Sequence, residues 1–518
     1  MPIIDNRSER LRNLSPAKRM LLLKALQNEA VRAEESRTIP GRPEDGPARL
    51  SFAQRRLFFI DQLYPDNPAY NMPAAVRLRG PLQVSVLERS FNEEVRRHEI
   101  LRTTFVIANG EPVQVISPAT PVQLPLVDLS EIAGSELEST ARELAKREGQ
   151  RPFDLAQGPL VRMTVLRLSD SDHIAVLTMH HITSDAWSID IFLRELSILY
   201  ENFSMEHPSP LPELSIHYAD YAHWQTQQFQ ETRLDQQLEY WKKQLSGATA
   251  IPELPTDLAR PIMQTYHGSQ HYLFFDKGLL ERLEGLSRRT NVTLFMLLLA
   301  VFKVLLYCFT GHPDVVVGSP VDNRQRIELE GLIGFFLNTL VLRTDLSGNP
   351  QFEELLARVR EVVLGAHAHQ ELPFEMLVKS LQPERDLGRP LLFQVWFLYE
   401  IAPASTARSA SIEMSGFQVD YGFSHYDLRL NLIETPEGIS GAFEYNTDLF
   451  LATTIKRLAL QFESLLGLIA EHPEMKLDEL SVALSEDERQ RRLETQRQQK
   501  QANLDRLTNI RRRAISHA

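Results

Sequence analysis

The residues best suited to chemistry lie in one stretch, Met179-His180-His181-Ile182-Thr183-Ser184-Asp185-Ala186-Trp187-Ser188. A neutral imidazole can take up a proton near pH 7, and a carboxylate four residues after the second histidine can organise the turn between them. Before this stretch, Ile174 to Met179 is a near-continuous apolar run, the pattern of a strand buried on both faces. After it, Ala186 to Tyr200 returns to helical spacing through Trp187, Phe192, Leu196 and Leu199. The histidines therefore sit where a strand leaves its sheet, a place that presents a side chain to substrate while the sheet fixes its position. Successive strand residues face opposite ways, so one histidine can face a cleft and the other the interior. That geometry weakens a metal site, because adjacent strand histidines cannot easily grip one ion. Taken alone, a His-His pair with a nearby Asp is explained by structural histidines about as often as by catalysis.

The elements that must position this stretch alternate between helix and strand. Ser15-Pro16 reads as an N-cap with proline at the first helical position, opening a helix with Leu21, Leu22, Leu23 and Leu26. Arg37 to Arg49 reads as a linker, and the main body begins near Leu50. Val86 to Arg97 has helical spacing, and Leu101 to Ile107 has strand character. Leu254-Pro255-Thr256-Asp257 resembles a crossover between lobes. The second half then repeats the style of the first, with a buried helix (Val292 to Phe309) followed by strands at Asp314 to Gly318 and Asn338 to Arg343. No sequence repeat is detectable. This order favours an α/β protein of two lobes. The expected division is 1–49 (helix and linker), 50–225 (N-terminal lobe), 226–484 (C-terminal lobe) and 485–518 (polar, basic tail).

Bulk composition narrows the function. With 518 residues, 43% hydrophobic and 24% charged, the chain has the make-up of a soluble globular protein too long for one ordinary core. A net charge of −12 argues against a nucleic-acid groove. The single cysteine, Cys308, lies in an apolar run and reads as a small buried thiol. The N-terminus lacks an apolar signal-peptide core, and the Val292 to Phe309 run carries Lys303 and is short for a bilayer. The expectation is a cytoplasmic enzyme that works with neither membrane nor nucleic acid. Residues 481 to 518 differ from the rest, holding nine Lys or Arg against five Asp or Glu. Leu504, Leu507 and Ile510 form a weak apolar stripe there, ahead of Arg511-Arg512-Arg513. The plain reading is a frayed, solvated helix, and the sharper one is a docking element for an acidic carrier or a neighbouring pathway enzyme.

His180-His181-Ile182-Thr183-Ser184-Asp185 resembles the HHxxxD signature of the condensation domains of non-ribosomal peptide synthetases. Further stretches resemble that family's other motifs, in order. Ser51 to Leu57 is similar to SxAQxRL, Arg97 to Phe105 to RHExLRTxF, and Tyr218 to Trp224 to YxDYAxW. Ile333 to Thr339 is similar to IGxFVNT, His369 to Glu375 to HQDYPFE, and Arg385 to Leu391 to RDxSRxPL. Glu444 to Phe450 matches a frequent stretch near the end. The likeness covers about residues 12 to 488. It implies two lobes, each like one protomer of chloramphenicol acetyltransferase, forming a V-shaped pseudo-dimer with a central tunnel. Phosphopantetheine arms of donor and acceptor peptidyl carrier proteins would enter that tunnel from opposite ends and meet at the second histidine. No cofactor is implied on the chain itself.

The resemblance makes His181 the group that accepts a proton from, or hydrogen-bonds, the attacking amine. It makes His180 structural and Asp185 an organiser of the loop, paired with Arg324 of Gly318-Ser319-Pro320-Val321-Asp322-Asn323-Arg324. Asn338 matches the motif asparagine near the tunnel, with an orienting or packing role as open as a catalytic one. Ala186, Trp187 and Ser319 belong to the motif or tunnel surroundings. Gln54, Arg55, Arg102 and Arg385 are expected to tie the lobes together, the aromatics Trp187, Tyr218, Tyr221 and Trp224 to pack, and His98 and His369 to be structural. Ala186 stands where the family usually has glycine, losing backbone freedom just beyond the loop. Leu372 and Gly388 replace a customary tyrosine and serine. Within the family, the histidine pair argues against the cyclising type, the order Trp187-Ser188 against the epimerising type, and the early motifs favour an L-configured donor. Two rivals are an acyl-coenzyme A acyltransferase, whose DFGWG stretch is absent, and a non-catalytic recruitment domain, which generally loses the histidines. There is no Gly-Gly dipeptide and hence no GGxS attachment motif. A free-standing or excised condensation protein is expected, fed by other proteins.

Overall fold

The computed structural model describes residues 38–43, 47–228, 233–247, 254–382, 388–390, 392–402, 412–491 and 493. The helix expected after Ser15, Arg385, and the stripe and arginines of the basic tail lie outside the described residues.

Two mixed sheets organise the chain, an α/β architecture. The first runs in the order Glu413–Gly416, Asn71–Arg79, Asp172–His180, Val161–Ser169, Leu126–Asp128. Its neighbours are antiparallel except the last pair. The apolar run read as a two-faced strand is Asp172–His180, buried at every residue after Asp172. Its alternation serves two cores. Ala175, Leu177 and Met179 join Leu87, Phe91, Ile191, Phe192 and Leu196, on the helices Val84–Arg97 and Ala186–Ser204. Ile174 and Val176 join Ala141 and Ala145, on the helix Gly134–Gln150. His180 shares the parity of Ile174 and Val176.

The second sheet runs in the order Leu337–Asp345, Asp314–Asp322, Val395–Ile401, Leu428–Thr435, Gly438–Asn446, Gly268–Asp276. The buried helix expected at Val292 to Phe309 is Leu294–Thr310, and every residue from Met296 to Leu306 is buried. Lys303 tolerates this because its ammonium donates to the Leu342 carbonyl at 2.6 Å and the Thr344 hydroxyl at 3.0 Å. Burial still drags its pKa down to about 7. Among the described residues no single helix is long and apolar enough to cross a membrane. Cys308 is partly buried, and burial raises its thiol pKa to about 11.

Contacts or helices run across each of the expected boundaries. The stretch read as a linker is partly built into the first lobe: Ile39 is buried in its core, and Arg42 donates to Asp220 and Glu99. The line at 225/226 falls inside the helix Tyr218–Gln228, where Gln225 accepts from the backbone of Phe52. The line at 484/485 falls inside a helix over residues 477–491. That helix stays attached past 485 because Ser464 donates to Asp487 and Gln461 to Glu488. The lobes also exchange chain. Glu413–Gly416 adds an edge strand to the first sheet, and Leu329, Leu332, Ile333, Phe335 and Phe336 complete the first lobe's core.

Candidate active site

The turn after Asp172–His180 holds the two histidines differently. The backbone N–H of Ile182 donates to His180 Nδ1 at 3.1 Å, so that nitrogen is an acceptor and the proton sits on Nε2. His181 Nδ1 lies 2.7 Å from the Ser184 carbonyl, which can only accept, so there the proton sits on Nδ1. His180 is buried, with its ring edge-on to Phe153, whereas His181 is partly exposed and its ring lies 4.5 Å from that of Phe335. Burial lowers the His180 pKa to about 3, helped by the neighbouring His181. The His181 pKa is lowered too, by burial first, against the Ser184 carbonyl and the Asp185 charge, which raise it. Both rings are neutral at pH 7, and His181 Nε2 makes no hydrogen bond among the described residues.

The turn is fixed from below by its own backbone. The His180 carbonyl accepts from Thr183 N–H and from the hydroxyls of Thr183 and Ser184, while His181 N–H donates to the Tyr70 carbonyl at 2.8 Å. Gln54 caps the arrangement by donating to the Ile182 carbonyl at 3.1 Å.

Asp185 ends the turn and starts the helix Ala186–Ser204. Its Oδ1 accepts from Ser188 N–H at 2.8 Å, the N-cap bond, and from Ser188 Oγ at 2.6 Å. Arg324 donates to the same oxygen at 3.2 Å, and Phe336 N–H donates to Oδ2 at 3.0 Å. Arg324 also donates to the carbonyls of Leu329 and Leu332 at 2.6 Å each, with its guanidinium 4.0 Å from the Phe336 ring centre. The expected pair Asp185–Arg324 is thus present and buried. Ala186 is the first helical residue and is not among the residues with positive φ, so glycine's freedom is not needed there.

The ordered motifs converge on the same crossing segment. Tyr218 OH donates to the Phe335 carbonyl at 2.6 Å and lies 2.9 Å from Ser51 Oγ. Gly334 must be glycine, because a Cβ there would stand 1.9 Å from the Tyr218 ring. Asn338 holds the loop before the helix Phe374–Leu381, donating to the carbonyls of Gln370 and Leu372 and accepting from Phe374 N–H. These three bonds occupy its amide. Ser319 donates to the Phe397 carbonyl at 2.9 Å, pinning neighbouring strands.

Several expected roles differ from what is found. Gln54 and Arg102 do not join the lobes: Gln54 serves the histidine turn, and Arg102 donates to the Ser117 carbonyl of its own lobe. The side chains that do join them include Arg324, Arg56 facing Glu375 at 3.9 Å, and Trp187 donating to the Glu330 carbonyl at 3.1 Å. Trp187 is not a core aromatic but 48% exposed, since it lies in the first turn of its helix. His98 is structural, fully buried against Glu195 at 3.0 Å, with Arg97 donating to that carboxylate at 2.8 Å. Beside them Glu94 is buried with neither oxygen hydrogen-bonded, and burial, then the Glu195 charge, push its carboxyl pKa well up. His369 stacks on Tyr240 at 3.9 Å. Sequence reasoning missed Ser188, although its spacing from Asp185 is that of an N-cap acceptor and donor.

The chain is similar to known proteins in both sequence and fold. A family model described as Condensation domain matches residues 45–492. A linear gramicidin synthase polypeptide of Brevibacillus parabrevis is 46% identical over 442 residues, 85% of this chain and 8% of that relative. The chain thus spans under a tenth of the length of that synthase polypeptide. Among solved structures, an X-domain from teicoplanin biosynthesis is similar with a TM-score of 0.78 and 28% identity, covering 85% of this chain and 99% of that one. The X-domain is also known in a complex with OxyB. The first condensation domain of the CDA synthetase shares the fold, with a TM-score of 0.73 at 21% identity over 84% of this chain and 99% of that one.

Proposed function

Because the chain belongs to the condensation-domain family, whose α/β fold is chloramphenicol acetyltransferase-like, we propose that it joins a carrier-bound acyl or peptidyl thioester to an acceptor amine. The donor and acceptor are proposed to ride on 4′-phosphopantetheine arms of peptidyl carrier proteins. In the reaction the amine nitrogen attacks the donor carbonyl carbon. The C–N bond forms, the C–S bond breaks, and the thiol leaves on the donor arm. Holding both reactants together supplies much of the acceleration, since thioester aminolysis is already downhill. The nitrogen must also shed a proton, and a neutral His181 with Nδ1 committed to Ser184 has Nε2 as the lone pair to receive it or to orient the N–H. Asp185 and Arg324 hold the turn and touch no substrate in this reading.

The observation that carries the proposal is the division of labour between the histidines: one buried and bonded through Nδ1 as acceptor, the other partly exposed with an unused acceptor nitrogen. The likeness to an X-domain supports a second reading, a platform that binds another enzyme. The ready state of His181 weighs for condensation. Incubation with loaded donor and acceptor carriers, read by mass spectrometry for the amide, separates the two. His181→Ala should slow condensation by roughly 10² to 10⁴-fold with little change in thermal stability. His180→Ala should lose stability instead, because its ring is buried and bonded. Condensation by His181→Ala at the parental rate would remove the proton-handling role and leave positioning alone.

A further inference from the structure

Arg429 is the second residue of the strand Leu428–Thr435, and its side chain leaves the second lobe's core. Leu428, Leu430 and Leu432 are fully buried in that core, so Arg429, Asn431 and Ile433 stand on the other face of the sheet. There Trp396, Arg429, Glu444 and Gln270 lie abreast on four adjacent strands. Further along the same face the side chains open to solvent, with Ile433 40%, Tyr272 49% and Phe274 59% exposed. The loop leading into the strand meets the support of the histidine turn. Its His425 ring lies 5.0 Å from the Tyr70 ring and hydrogen-bonds to the Ala69 backbone, and the Tyr70 carbonyl receives the His181 N–H at 2.8 Å. The lobes also act on each other's charges across this face. Burial is the main reason that His181 stays neutral, and the Arg429 charge adds to it from the opposite lobe. Glu400, at the outer end of the face, has its carboxyl pushed up by desolvation first and by Asp190 of the first lobe, while Arg429 pulls it down.

The guanidinium is half-buried and only partly used. Nε donates to Asn431 Oδ1 at 2.6 Å, which fixes the plane of the group. Among the described residues the two terminal nitrogens make no hydrogen bond or ion pair, and neither is shielded from water. Glu444 stands beside Arg429 in register without reaching ion-pair distance, and burial pushes its carboxyl up against the pull of Arg429. Resting on the condensation reading above, we infer that the free end of Arg429 binds a carboxylate carried by one of the two reacting partners, which selects an acidic aminoacyl or dicarboxylic acyl substrate. The two terminal nitrogens offer parallel N–H bonds at the spacing of carboxylate oxygens, and with Nε taken by Asn431 this end-on pairing is the one left open. A side-chain amide of the same shape has one acceptor oxygen and turns an NH₂ towards those donors. Discrimination between an acid and its amide isostere is therefore the mark of the site.

The test uses the full chain with loaded donor carriers and aminoacyl N-acetylcysteamine thioesters as soluble acceptors. One arm compares glutamyl with glutaminyl and aspartyl with asparaginyl acceptors against an alanyl donor. The other compares the same pairs on the donor carrier against an alanyl acceptor. In one arm kcat/KM should favour the acid about 10- to 100-fold, and that arm identifies which partner carries the carboxylate. Arg429→Gln should bring the ratio of acid to amide close to one, and Arg429→Lys should keep part of it. A general loss of folded protein leaves that ratio unmoved. No preference for the acid in either arm, or a preference that survives in Arg429→Gln, overturns the assignment. Binding of the glutamyl and glutaminyl thioesters is followed in parallel by ligand-observed NMR, which separates the site from the chemistry. If no amide forms, the condensation reading falls, yet tighter binding of the acid that Arg429→Gln abolishes still upholds the site, and equal binding of acid and amide overturns it.

Discussion

Asp185→Ala removes one partner from a buried ion pair and also a helix cap. The parent carboxylate accepts from Ser188 N–H, Ser188 Oγ, Arg324 and Phe336 N–H. In the variant the Arg324 guanidinium keeps its bonds to Leu329 and Leu332 and the Asp322 carboxylate 3.5 Å from its Nε, but loses its Asp185 partner in a site with about 2% side-chain exposure. Breaking such a pair costs about 3 to 5 kcal/mol, and losing the cap alone about 1 kcal/mol. Since a domain's whole stability is about 5 to 15 kcal/mol, soluble yield should fall as well. Urea unfolding of the parent, Asp185→Ala, Arg324→Met and the double variant measures the effect. The double variant should be less destabilised than the two single losses added, because each single loss leaves the other member of the pair buried beside its missing counter-charge. An Asp185→Ala protein that is as stable as the parent but condenses slowly would refute this reasoning and move Asp185 into the chemistry.

Two further tests use pH. The folded pKa of Glu94 lies above its unfolded value, so between the two the native state holds a proton that the unfolded chain has released, and stability falls as pH rises. Glu94→Gln should therefore gain on the parent from about pH 4 upward in thermal or urea unfolding, and parallel curves would refute it. Lys303 has the opposite sign: its folded pKa of about 7 lies below the unfolded value, so the parent's stability should rise between about pH 7 and 10, by up to about 1.4 kcal/mol per unit. Lys303→Met should lack that slope, and an identical pH dependence in both proteins would refute the buried-amine account.

The histidine turn was legible because three local signals agreed: an apolar run, a polar break and helical spacing starting at Ala186. The strand Asp172–His180 and the helix Ala186–Ser204 follow those signals to within a few residues. The partition into lobes was not legible in the same way. Leu329, Ile333 and Phe336 carry no mark that says which core they enter, since burial in either lobe selects the same apolar residues. Arg324 as the partner of Asp185 came from the motif resemblance and not from spacing.

The exchange of chain between lobes bears on when the molecule becomes competent. The Phe336 N–H that braces Asp185 comes from 151 residues further along the chain. During synthesis the ribosome therefore completes the histidine turn long before it makes the groups that lock it. Until residue 336 emerges, the first lobe also lacks Leu329, Ile333 and Phe336 and exposes apolar surface in their place. The nascent chain thus waits, half-assembled and sticky, for its second half to finish the first, and the reactive loop gains its shape together with the joint between the lobes.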